Sequence, residues 1–267
     1  MNAAGMNRDE RLSAILDLLA DAGQIDVDEI ITTLGVSPAT ARRDLDSLAD
    51  QKLLTRTRGG ATSQSVAYDL PLRYKRGQNA AQKERIAQAA SALVSPGQVV
   101  GLCGGTTSTA IAATLATRAD LLEPASQTNL TVVTNAINIA AQLVMRPQIK
   151  TVVTGGVIHA RSYELIGPYA DSVLSQIRMD IAFIGVNGID PLVGATVHDE
   201  HEASINSLMG ARAQRAVIVA DSSKIGRNAF ATLTGGADVF NTLITDDGVT
   251  DAQRAAFADS GVEVIVA

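Results

Sequence analysis

The chain has 267 residues, a formal net charge of −6 and a hydrophobic fraction of 46%. That length accommodates one small and one larger domain, and the acidic balance excludes a protein that is basic throughout. The single cysteine, Cys103, excludes an internal disulfide and fits a reducing compartment. No apolar run approaches the roughly 20 residues that span a bilayer, and residues 1–8 lack the core of a signal peptide. We therefore predict a cytoplasmic protein.

The N-terminal region carries two helical patterns in succession. Apolar residues recur at helical spacing over residues 11–19, and Gly23 follows where such a helix would end. A second helix is predicted over residues 27–34, and Gly35 suits a left-handed C-terminal cap. Two helices in this order, followed by a tight turn, begin a helix-turn-helix unit.

The third predicted helix has the features of a DNA-recognition helix. Ser37 can accept hydrogen bonds from the first-turn N–H groups, and Pro38 suits the first helical position. Ala41, Leu45 and Leu48 form an apolar face, so the polar residues near the helix start point away from the core. The residues of this helix that we predict to contact DNA are Ser37, Pro38, Thr40, Arg42, Arg43 and Ser47.

Alternating cations follow the third helix. Arg56 and Arg58 precede the paired glycines Gly59 and Gly60, a pattern typical of a small β-wing with both cations on one face. We predict that Arg56 and Arg58 contact the DNA backbone. A three-helix unit that docks on another protein, with a solvated basic hairpin, is the alternative.

The charge is unevenly distributed along the chain. Residues 37–76 hold eight basic and four acidic side chains, a net charge of +4. Residues 1–36 hold two basic and seven acidic side chains, and residues 77–267 hold twelve and seventeen, so each of these parts carries −5. A local basic patch is sufficient for phosphate contact. A patch of this size predicts useful affinity only when two or more copies of the chain bind together.

Residues 63–80 are predicted to be a linker. The segment is mostly polar, Pro71 interrupts it, and Asn79 suits the N-cap of a helix over residues 79–93. The predicted organisation is a winged helix-turn-helix domain over residues 1–62, the linker over 63–80 and an effector-binding and oligomerisation domain over 81–267.

From residue 99 onward, short β-branched runs alternate with helical patterns. Strands are predicted over residues 99–102, 130–134, 150–154, 180–185, 216–220, 242–245 and 262–266. Helices are predicted over residues 108–117, 136–145, 170–177, 202–215 and 251–260. This alternation predicts an α/β domain with a mainly parallel, doubly wound, Rossmann-like sheet, in which ligands bind beyond the carboxyl ends of the strands.

Small and polar residues follow these strands. Residues 103–108, Cys-Gly-Gly-Thr-Thr-Ser, lead into a helix, so backbone amides, hydroxyls and a helix N-terminus can surround a phosphate. Such residues also end ordinary strands, but five such loops in one sheet favour a phosphorylated polyol or sugar site. The residues predicted to bind this effector are Gly104, Gly105, Thr106, Thr107, Ser108, Thr134, Asn135, Gly155, Gly156, Arg161, Asn187, Asp199, Glu202 and Lys224.

No cofactor and no metal site are predicted. The chain lacks the Gly-x-x-x-x-Gly-Lys-Ser/Thr loop, and its glycines do not fit Gly-x-Gly-x-x-Gly. Residues 198–202, His-Asp-Glu-His-Glu, could hold a metal, but they also fit a loop whose acids lie near a positive helix end. Two further alternatives are carboxylates that bind sugar hydroxyls and, together with Lys224, proton transfer in an isomerase.

The motif Val-Ser-Pro-Ala-Thr-Ala-Arg-Arg-Asp-Leu at 36–45, followed by Arg-Gly-Gly-Ala at 58–61, resembles the N-terminal signature of the DeoR family of bacterial transcription regulators. Later motifs occur in the family's order, among them Gly-Thr-Thr at 105–107 and Asp-Ser-Ser-Lys at 221–224, and the resemblance covers residues 8–247. It implies a winged helix-turn-helix joined to a sensor domain of the ribose-5-phosphate isomerase/coenzyme A transferase type. In that family the sensor binds a phosphorylated sugar instead of converting it.

Three positions depart from the family pattern. Ala41 stands where a larger aliphatic residue is usual, Cys103 where many members have an acid, and Asn206 where a lysine is common. The change at Cys103 removes a possible hydroxyl acceptor, so a different effector is expected.

The sequence therefore predicts a DNA-binding repressor of a carbohydrate catabolism operon that a sugar phosphate releases from its operator. Homodimers or homotetramers would hold paired winged helices on operator half-sites. Two alternatives stay open: an isomerase-type enzyme with an attached DNA-binding domain, and a scaffold whose three-helix unit binds protein.

Overall fold

The computed structural model describes residues 6–62, 72–75, 77–122 and 128–267. It divides into two compact units, Met1–Gln78 and Asn79–Ala267. Among the described residues, no helix is both long enough and apolar enough to cross a membrane.

The first unit is a winged helix-turn-helix, as predicted. Its elements are α1 (Arg8–Ala22), β1 (Gln24–Asp26), α2 (Val27–Leu34), α3 (Pro38–Asp50), β2 (Thr55–Arg56), β3 (Gly60–Thr62) and α4 (Leu72–Lys75). The sequence pattern missed β1, because three residues are too few to show alternation. This strand pairs with β3, and the sheet order is β1-β3-β2.

Local chemistry determines where these helices begin and end. Asn7 and Glu10 form a reciprocal capping box at the start of α1. Gly23 and Gly35 end α1 and α2 with φ angles of 74° and 63°, in the left-handed region that glycine adopts readily. Ser37 Oγ accepts from the backbone N–H of Thr40 at 3.2 Å, which confirms the predicted cap of α3.

The core of the first unit is aliphatic. Its fully buried residues are Ile15, Leu16, Leu19, Ile30, Ala41, Leu45 and Leu48. An ion pair lies beside this core: Nε and Nη2 of Arg11 donate to the buried carboxylate of Asp44 at 2.9 and 3.3 Å. Asp44 belongs to α3, so this forked contact holds the recognition helix on α1.

The boundary of the first unit differs from the predicted one. Residues 63–71 and 76 of the predicted linker lie outside the described residues. Tyr74 of α4, however, is buried in the core of the first unit, and its hydroxyl donates to Oε1 of Gln51 at 2.7 Å. Because an aromatic side chain is buried there, the first unit extends to residue 78 and the linker does not reach residue 80.

The second unit alternates strands and helices. Its elements are α5 (Ala80–Ala92), β4 (Val99–Leu102), α6 (Thr106–Leu115), α7 (Ala119–Leu122), β5 (Leu130–Thr134), α8 (Ile137–Leu143), β6 (Ile149–Val153), β7 (Val157–His159), β8 (Glu164–Ile166), α9 (Pro168–Leu174), β9 (Met179–Gly185), β10 (Gly188–Asp190), β11 (Gly194–Val197), α10 (Glu200–Ala211), β12 (Ala213–Val219), a 3-10 helix (Ser222–Lys224), β13 (Ala231–Thr232), α11 (Gly236–Val239), β14 (Thr242–Thr245), α12 (Asp251–Asp259) and β15 (Glu263–Val266).

A seven-stranded parallel sheet of order β15-β14-β12-β9-β4-β5-β6 is the centre of the second unit. Buried side chains alternate between its two faces: Val217 and Val219 of β12 pack on one side, and Ala216 and Ile218 on the other. Helices α5, α6 and α8 contribute to the first core, and α9, α10 and α12 to the second. The α/β class and the doubly wound architecture are therefore confirmed, and each predicted strand is present within three residues of its predicted bounds.

Several details differ from the sequence prediction. The helix predicted over 202–215 ends at Ala211, because β12 already begins at Ala213. Two antiparallel sheets, β7-β8 and β10-β11-β13, lie outside the central sheet and were missed, because their strands are only two to four residues long. Asn79 occupies the N-cap position of α5, as predicted, but its φ angle is 50° and its side chain makes no capping hydrogen bond.

Candidate nucleic-acid interface and effector site

The exposed surface of α3 carries the predicted DNA contacts. Ser37 and Pro38 are exposed at its start, and Arg42 and Arg43 are exposed one turn later. Thr40 is half-buried, and its hydroxyl lies 2.9 Å from Oγ of Ser37. The helix therefore presents two cations and small hydroxyl side chains at its N-terminal end, where recognition helices meet base edges.

A cation that the sequence pattern missed lies beside this surface. Nη2 of Arg8, at the start of α1, donates to Oγ of Ser47 at 2.8 Å. Ser47 follows Arg43 by one helical turn, so α1 adds an exposed guanidinium to the face of α3. No local signal could have identified Arg8, because the contact joins residues 39 positions apart.

The wing differs from its predicted form. Strand β2 ends at Arg56, and Arg58 is an exposed residue of the turn, so strand alternation does not place both cations on one face. Arg56 Nε donates to Oδ1 of Asp46 at 2.9 Å, and its Nη1 donates to the carbonyl of Gly60 at 2.7 Å. Arg56 thus ties the wing to α3, whereas Arg58 is the exposed cation of the pair.

The strand order of the second unit has a topological switch point. From β4 the chain adds β5 and β6 on one side, and then returns to add β9, β12, β14 and β15 on the other. In doubly wound sheets, ligands bind in the crevice that such a reversal opens at the carboxyl ends of the strands. The crevice here lies between the loops after β4 and β9, and a Cβ on Gly185 would lie 3.4 Å from the carbonyl oxygen of Gly104.

The glycine loop after β4 leads into an open helix N-terminus. Gly105 has a φ angle of 107°, and among the described residues no side chain caps α6. Thr106 is half-buried, while Thr107 and Ser108 are buried. The first-turn amides of a helix lack intrahelical acceptors and carry a positive partial charge, so this end of α6 can hold an anion.

The side chain of Glu164, which the sequence analysis missed, packs on the glycine loop. A Cβ on Gly104 would lie 2.2 Å from Oε1 of Glu164, so only glycine allows this approach. Oε2 of the same carboxylate accepts from Nδ2 of Asn135 at 3.1 Å. Glu164 and Asn135 are both buried. Glu164 reaches the site from β8, a strand too short to be recognised from the sequence.

A second carboxylate lies at the start of α10. Oε1 of the buried Glu202 is 2.7 Å from Nδ1 of His159, which also contacts Oγ of Ser162 at 2.9 Å. His159 belongs to β7, so the β7-β8 hairpin supplies a partner for Glu202 and places Glu164 on the glycine loop. Glu202 was predicted from the sequence, whereas His159 was not.

Cys103 follows β4, and its thiol lies 3.2 Å from the carbonyl oxygen of Gly104. It is fully buried, and it accepts from the backbone N–H of Gly185 at 3.0 Å. Burial raises the pKa of Cys103 to about 12, with a further contribution from the negative charge of Glu164 and a smaller one from Glu202. The thiol is therefore neutral at physiological pH.

Some predicted effector residues have structural roles instead. Oγ1 of Thr134 donates to the carbonyl of Leu102 at 2.7 Å, so it joins β5 to β4. Oδ1 of Asp199 accepts from the backbone N–H groups of His201 and Glu202 at 2.9 and 3.1 Å, which makes Asp199 the N-cap of α10. The hydroxyl of Thr134 and Oδ1 of Asp199 are therefore already engaged within the fold.

The remaining predicted residues lie in the loops around the crevice. Gly155 and Gly156 have φ angles of 73° and 128°. Oδ1 of Asn187 accepts from the backbone N–H of His198 at 3.1 Å. Arg161 is exposed in the turn of the β7-β8 hairpin, and Lys224 is half-buried at the end of the 3-10 helix after β12.

The acidic segment at 199–201 behaves as a helix start. Ligand atoms of Asp199, Glu200 and His201 lie within 4.8 Å of one another, which is close enough for a metal ion. Oδ1 of Asp199 is already engaged with two backbone amides, and Glu200 and His201 are exposed. The geometry supports the interpretation of acids near a positive helix end.

A winged helix-turn-helix joined in one chain to a doubly wound sheet, with an open helix N-terminus at its switch point, is typical of a DNA-binding regulator with a small-molecule sensor. Residues 11–66 match the DeoR-like helix-turn-helix domain, and residues 78–247 match the DeoR C-terminal sensor domain. The chain belongs to the DeoR family and is a transcriptional regulator.

Relatives along nearly the full length support this assignment. The chain is 30% identical to the glycerol-3-phosphate regulon repressor of Escherichia coli K12, over 90% of this chain and 92% of that protein. It is 33% identical to the HTH-type transcriptional regulator GlpR of Haloferax volcanii, over 96% of each. Both relatives are named as regulators of transcription and neither as an enzyme, and the match covers more than nine-tenths of each, so the chain is a regulator and not an enzyme.

Among solved structures, the chain is similar to ribose 5-phosphate isomerase A from Methanocaldococcus jannaschii. The identity is 19%, the likeness covers 55% of each chain, and the TM-score is 0.41. At this TM-score the likeness adds nothing to the family assignment.

Proposed function

We propose that this regulator represses a carbohydrate catabolism operon and leaves its operator when a phosphorylated sugar binds to the second unit. The open N-terminus of α6, at the switch point of the sheet, is the observation that carries the proposal. The name of the Escherichia coli relative, a glycerol-3-phosphate regulon repressor, supports a small phosphorylated polyol as the class of effector.

The exposed face of α3 binds the operator in this proposal. Arg43 contacts a base edge, Arg42 a phosphate or a base, and Arg58 the backbone beside the wing. Arg56 positions the wing through Asp46 and does not itself bind DNA. Small side chains at the helix start complete the interface, namely Ser37, Pro38, Thr40 and Ser47.

The effector binds in two parts. Its phosphate lies against the amides and hydroxyls of Gly105, Thr106, Thr107 and Ser108, and Gly104, on which Glu164 packs, lies beside its carbon chain. Its hydroxylated carbon chain extends toward Asn135, Asn187 and Glu202, and Arg161 and Lys224 add positive charge at the rim. The roles of Thr134 and Asp199 within the fold remove them from the contacts that we propose.

Release from the operator requires that binding of the sugar phosphate and binding of the operator DNA weaken one another. A sugar phosphate that binds more tightly to the operator-free state lowers operator affinity by that same ratio. The modest positive charge of the first unit supports binding as a homodimer or homotetramer, because paired half-sites double the number of phosphate contacts. A cytoplasmic location stays a prediction.

A competition experiment tests the proposal. The full chain would first select its preferred duplexes from a random library, and fluorescence anisotropy would then measure operator affinity at fixed salt. Glycerol 3-phosphate, hexose phosphates, pentose phosphates and inorganic phosphate would be added in turn. We expect one sugar or polyol phosphate to weaken operator binding and to raise the melting temperature of the protein. A protein that selects no duplex and is stabilised by none of these compounds would contradict the proposal.

A further inference from the structure

The β7-β8 hairpin brings two side chains to the crevice that lie far along the sequence from Gly104. Glu164 packs on Gly104, and His159 pairs with Glu202. Glu164 and Glu202 are both buried, whereas a quarter of the His159 side chain is exposed. The hairpin therefore adds an acid beside Gly104 and an imidazole beside Glu202.

Two buried carboxylates make this side of the crevice unsuitable for phosphate. Like charges repel strongly where water is excluded, and the β7-β8 hairpin holds Glu164 on Gly104 and contacts Glu202 through His159. A phosphate group is therefore directed toward the amides of α6. The carboxylates are suited to a different part of the ligand, because an ionised carboxylate is a hydrogen-bond acceptor for hydroxyl groups.

The side-chain oxygen of Asn135, next to Glu164, is a buried hydrogen-bond acceptor that needs a donor. Asn135 is fully buried, and its Nδ2 is used by Glu164. Among the described residues, its Oδ1 has no hydrogen-bond partner. Buried polar atoms almost always have a partner, which can be a bound ligand or water. A ligand hydroxyl can donate to Oδ1 of Asn135 or to a neighbouring carboxylate, so it satisfies this site where a phosphate oxygen does not.

We propose that Glu164 and the His159–Glu202 pair select the hydroxylated carbon chain of the effector, while the N-terminus of α6 binds its phosphate. Glu164 and Glu202 accept from hydroxyl groups, and His159 holds the Glu202 carboxylate in place. The inference rests on the proposed sugar-phosphate function, because it assigns the specificity of the same site.

Three variants of the full chain test this division of roles. Glu164→Gln keeps the shape of the side chain but exchanges an acceptor oxygen for an NH₂ group. His159→Gln removes the imidazole at a partly exposed position, where folding is less sensitive. Glu263→Gln is the control, because Glu263 is an exposed glutamate of β15 whose nearest cation is Arg215 at 3.8 Å. Calorimetric titration would use the sugar phosphate that stabilises the wild type, and inorganic phosphate as the second probe.

We expect Glu164→Gln and His159→Gln each to weaken binding of the sugar phosphate by about tenfold or more, the size of one lost charge-assisted hydrogen bond. The affinity for inorganic phosphate should change less than twofold in either variant, and Glu263→Gln should bind both probes like the wild type. Unchanged sugar-phosphate affinity in both variants would overturn this inference and leave the proposed function standing. An equal loss for both probes would also overturn it. A wild type that binds no sugar phosphate would overturn the proposed function and this inference together.

Discussion

The side-chain amide of Asn79 donates to Oδ1 of Asp221 at 2.9 Å, and it lies 3.3 Å from Oγ of Ser223. Asn79 is the first residue of the second unit, and Asp221 begins the loop after β12. One turn into α5, Arg85 reaches the next loop and contacts Oδ1 of Asp247 at 2.5 Å. The helix that follows the first unit is thus attached to two strand-end loops of the sheet.

This attachment predicts that Asn79 carries part of the effector signal. Asn79→Gly removes the amide but keeps the left-handed backbone, since glycine adopts a φ angle of 50° without strain. We expect sugar-phosphate affinity to change less than threefold, while the effect of the sugar phosphate on operator affinity falls severalfold. Anisotropy titrations of operator with and without effector measure this coupling.

The control for Asn79→Gly is Asn241→Gly. Asn241 is exposed immediately before β14, at the opposite end of the strands from the Asp221 loop. The prediction would be contradicted if the effect of the sugar phosphate on operator affinity were unchanged in Asn79→Gly. It would also be contradicted if that effect were reduced equally in Asn241→Gly.

Operator discrimination should depend on Arg43 more than on Arg58. If Arg43 contacts a base edge, Arg43→Ala costs about 1–3 kcal/mol on the selected duplex and little on a scrambled one. Arg58→Ala should weaken both duplexes alike and reduce the salt dependence of binding, because a backbone contact carries no base information. Equal losses on both duplexes in Arg43→Ala would show that Arg43 contacts phosphate instead.

The buried ion pair of the first unit should determine its stability. The hydrogen bond to Asp44 raises the pKa of Arg11. The guanidinium also stays charged when Asp44 is lost, because arginine is effectively always protonated at neutral pH. Asp44→Asn should lower the free energy of unfolding of the first unit by on the order of 3 kcal/mol, since it leaves a partly buried charge unpaired.

Asp46→Asn is the matched control in the same helix. Asp46 is exposed, and its pair with Arg56 should contribute less than about 1 kcal/mol. Calorimetric melting of the full chain measures both, and similar losses would contradict the prediction.

Asp246 should make the free energy of unfolding of the second unit depend on pH. Burial alone would raise the pKa of Asp246, but hydrogen bonds from the backbone and hydroxyl of Ser222, at 2.7 and 2.9 Å, and from Gly248 lower it. A lowered pKa of Asp246 stabilises the folded state at pH values above the ordinary aspartate pKa of about 3.9. This contribution is lost as the pH falls through the pKa of the folded state.

Asp246→Asn should lower the free energy of unfolding by roughly 1–3 kcal/mol at neutral pH. Urea unfolding at a series of pH values should show the difference between wild type and variant shrinking below about pH 4. A constant difference would contradict this assignment.

Cys103 should be unreactive while the protein is folded. With a pKa of about 12 and full burial, its thiolate is scarce at neutral pH. Alkylation by iodoacetamide should be at least ~1000-fold slower than for an exposed thiol of ordinary pKa, and concentrated urea should restore the ordinary rate. Cys103→Ser provides the unlabelled control. Rapid labelling of the native protein would show that the glycine loop opens on its own.

Parts of the candidate site were predictable from the sequence because their signals are local. The glycine loop at 104–105 was predictable from its composition, and the helix that follows begins within two residues of its predicted start. Thr134 and Asp199 look like ligands in a linear motif, but the Thr134 hydroxyl donates to Leu102 and Oδ1 of Asp199 caps α10. A motif shows which atoms are available to bind, and only the packed structure shows which of them the fold has already used.

By itself, the sequence determined the three helices of the first unit with their caps at Gly23, Gly35 and Ser37, and the seven strands of the central sheet. Helical periodicity, capping and β-branched runs involve only a few neighbouring residues. The helices and strands that they form can therefore be predicted without knowing the fold. The tertiary structure alone decided that Glu164 lies on Gly104 and that Asn79 reaches Asp221, 142 positions away. These contacts depend on strand order and on hairpins only three residues deep, which are set by the burial of the whole sheet and not by any local pattern.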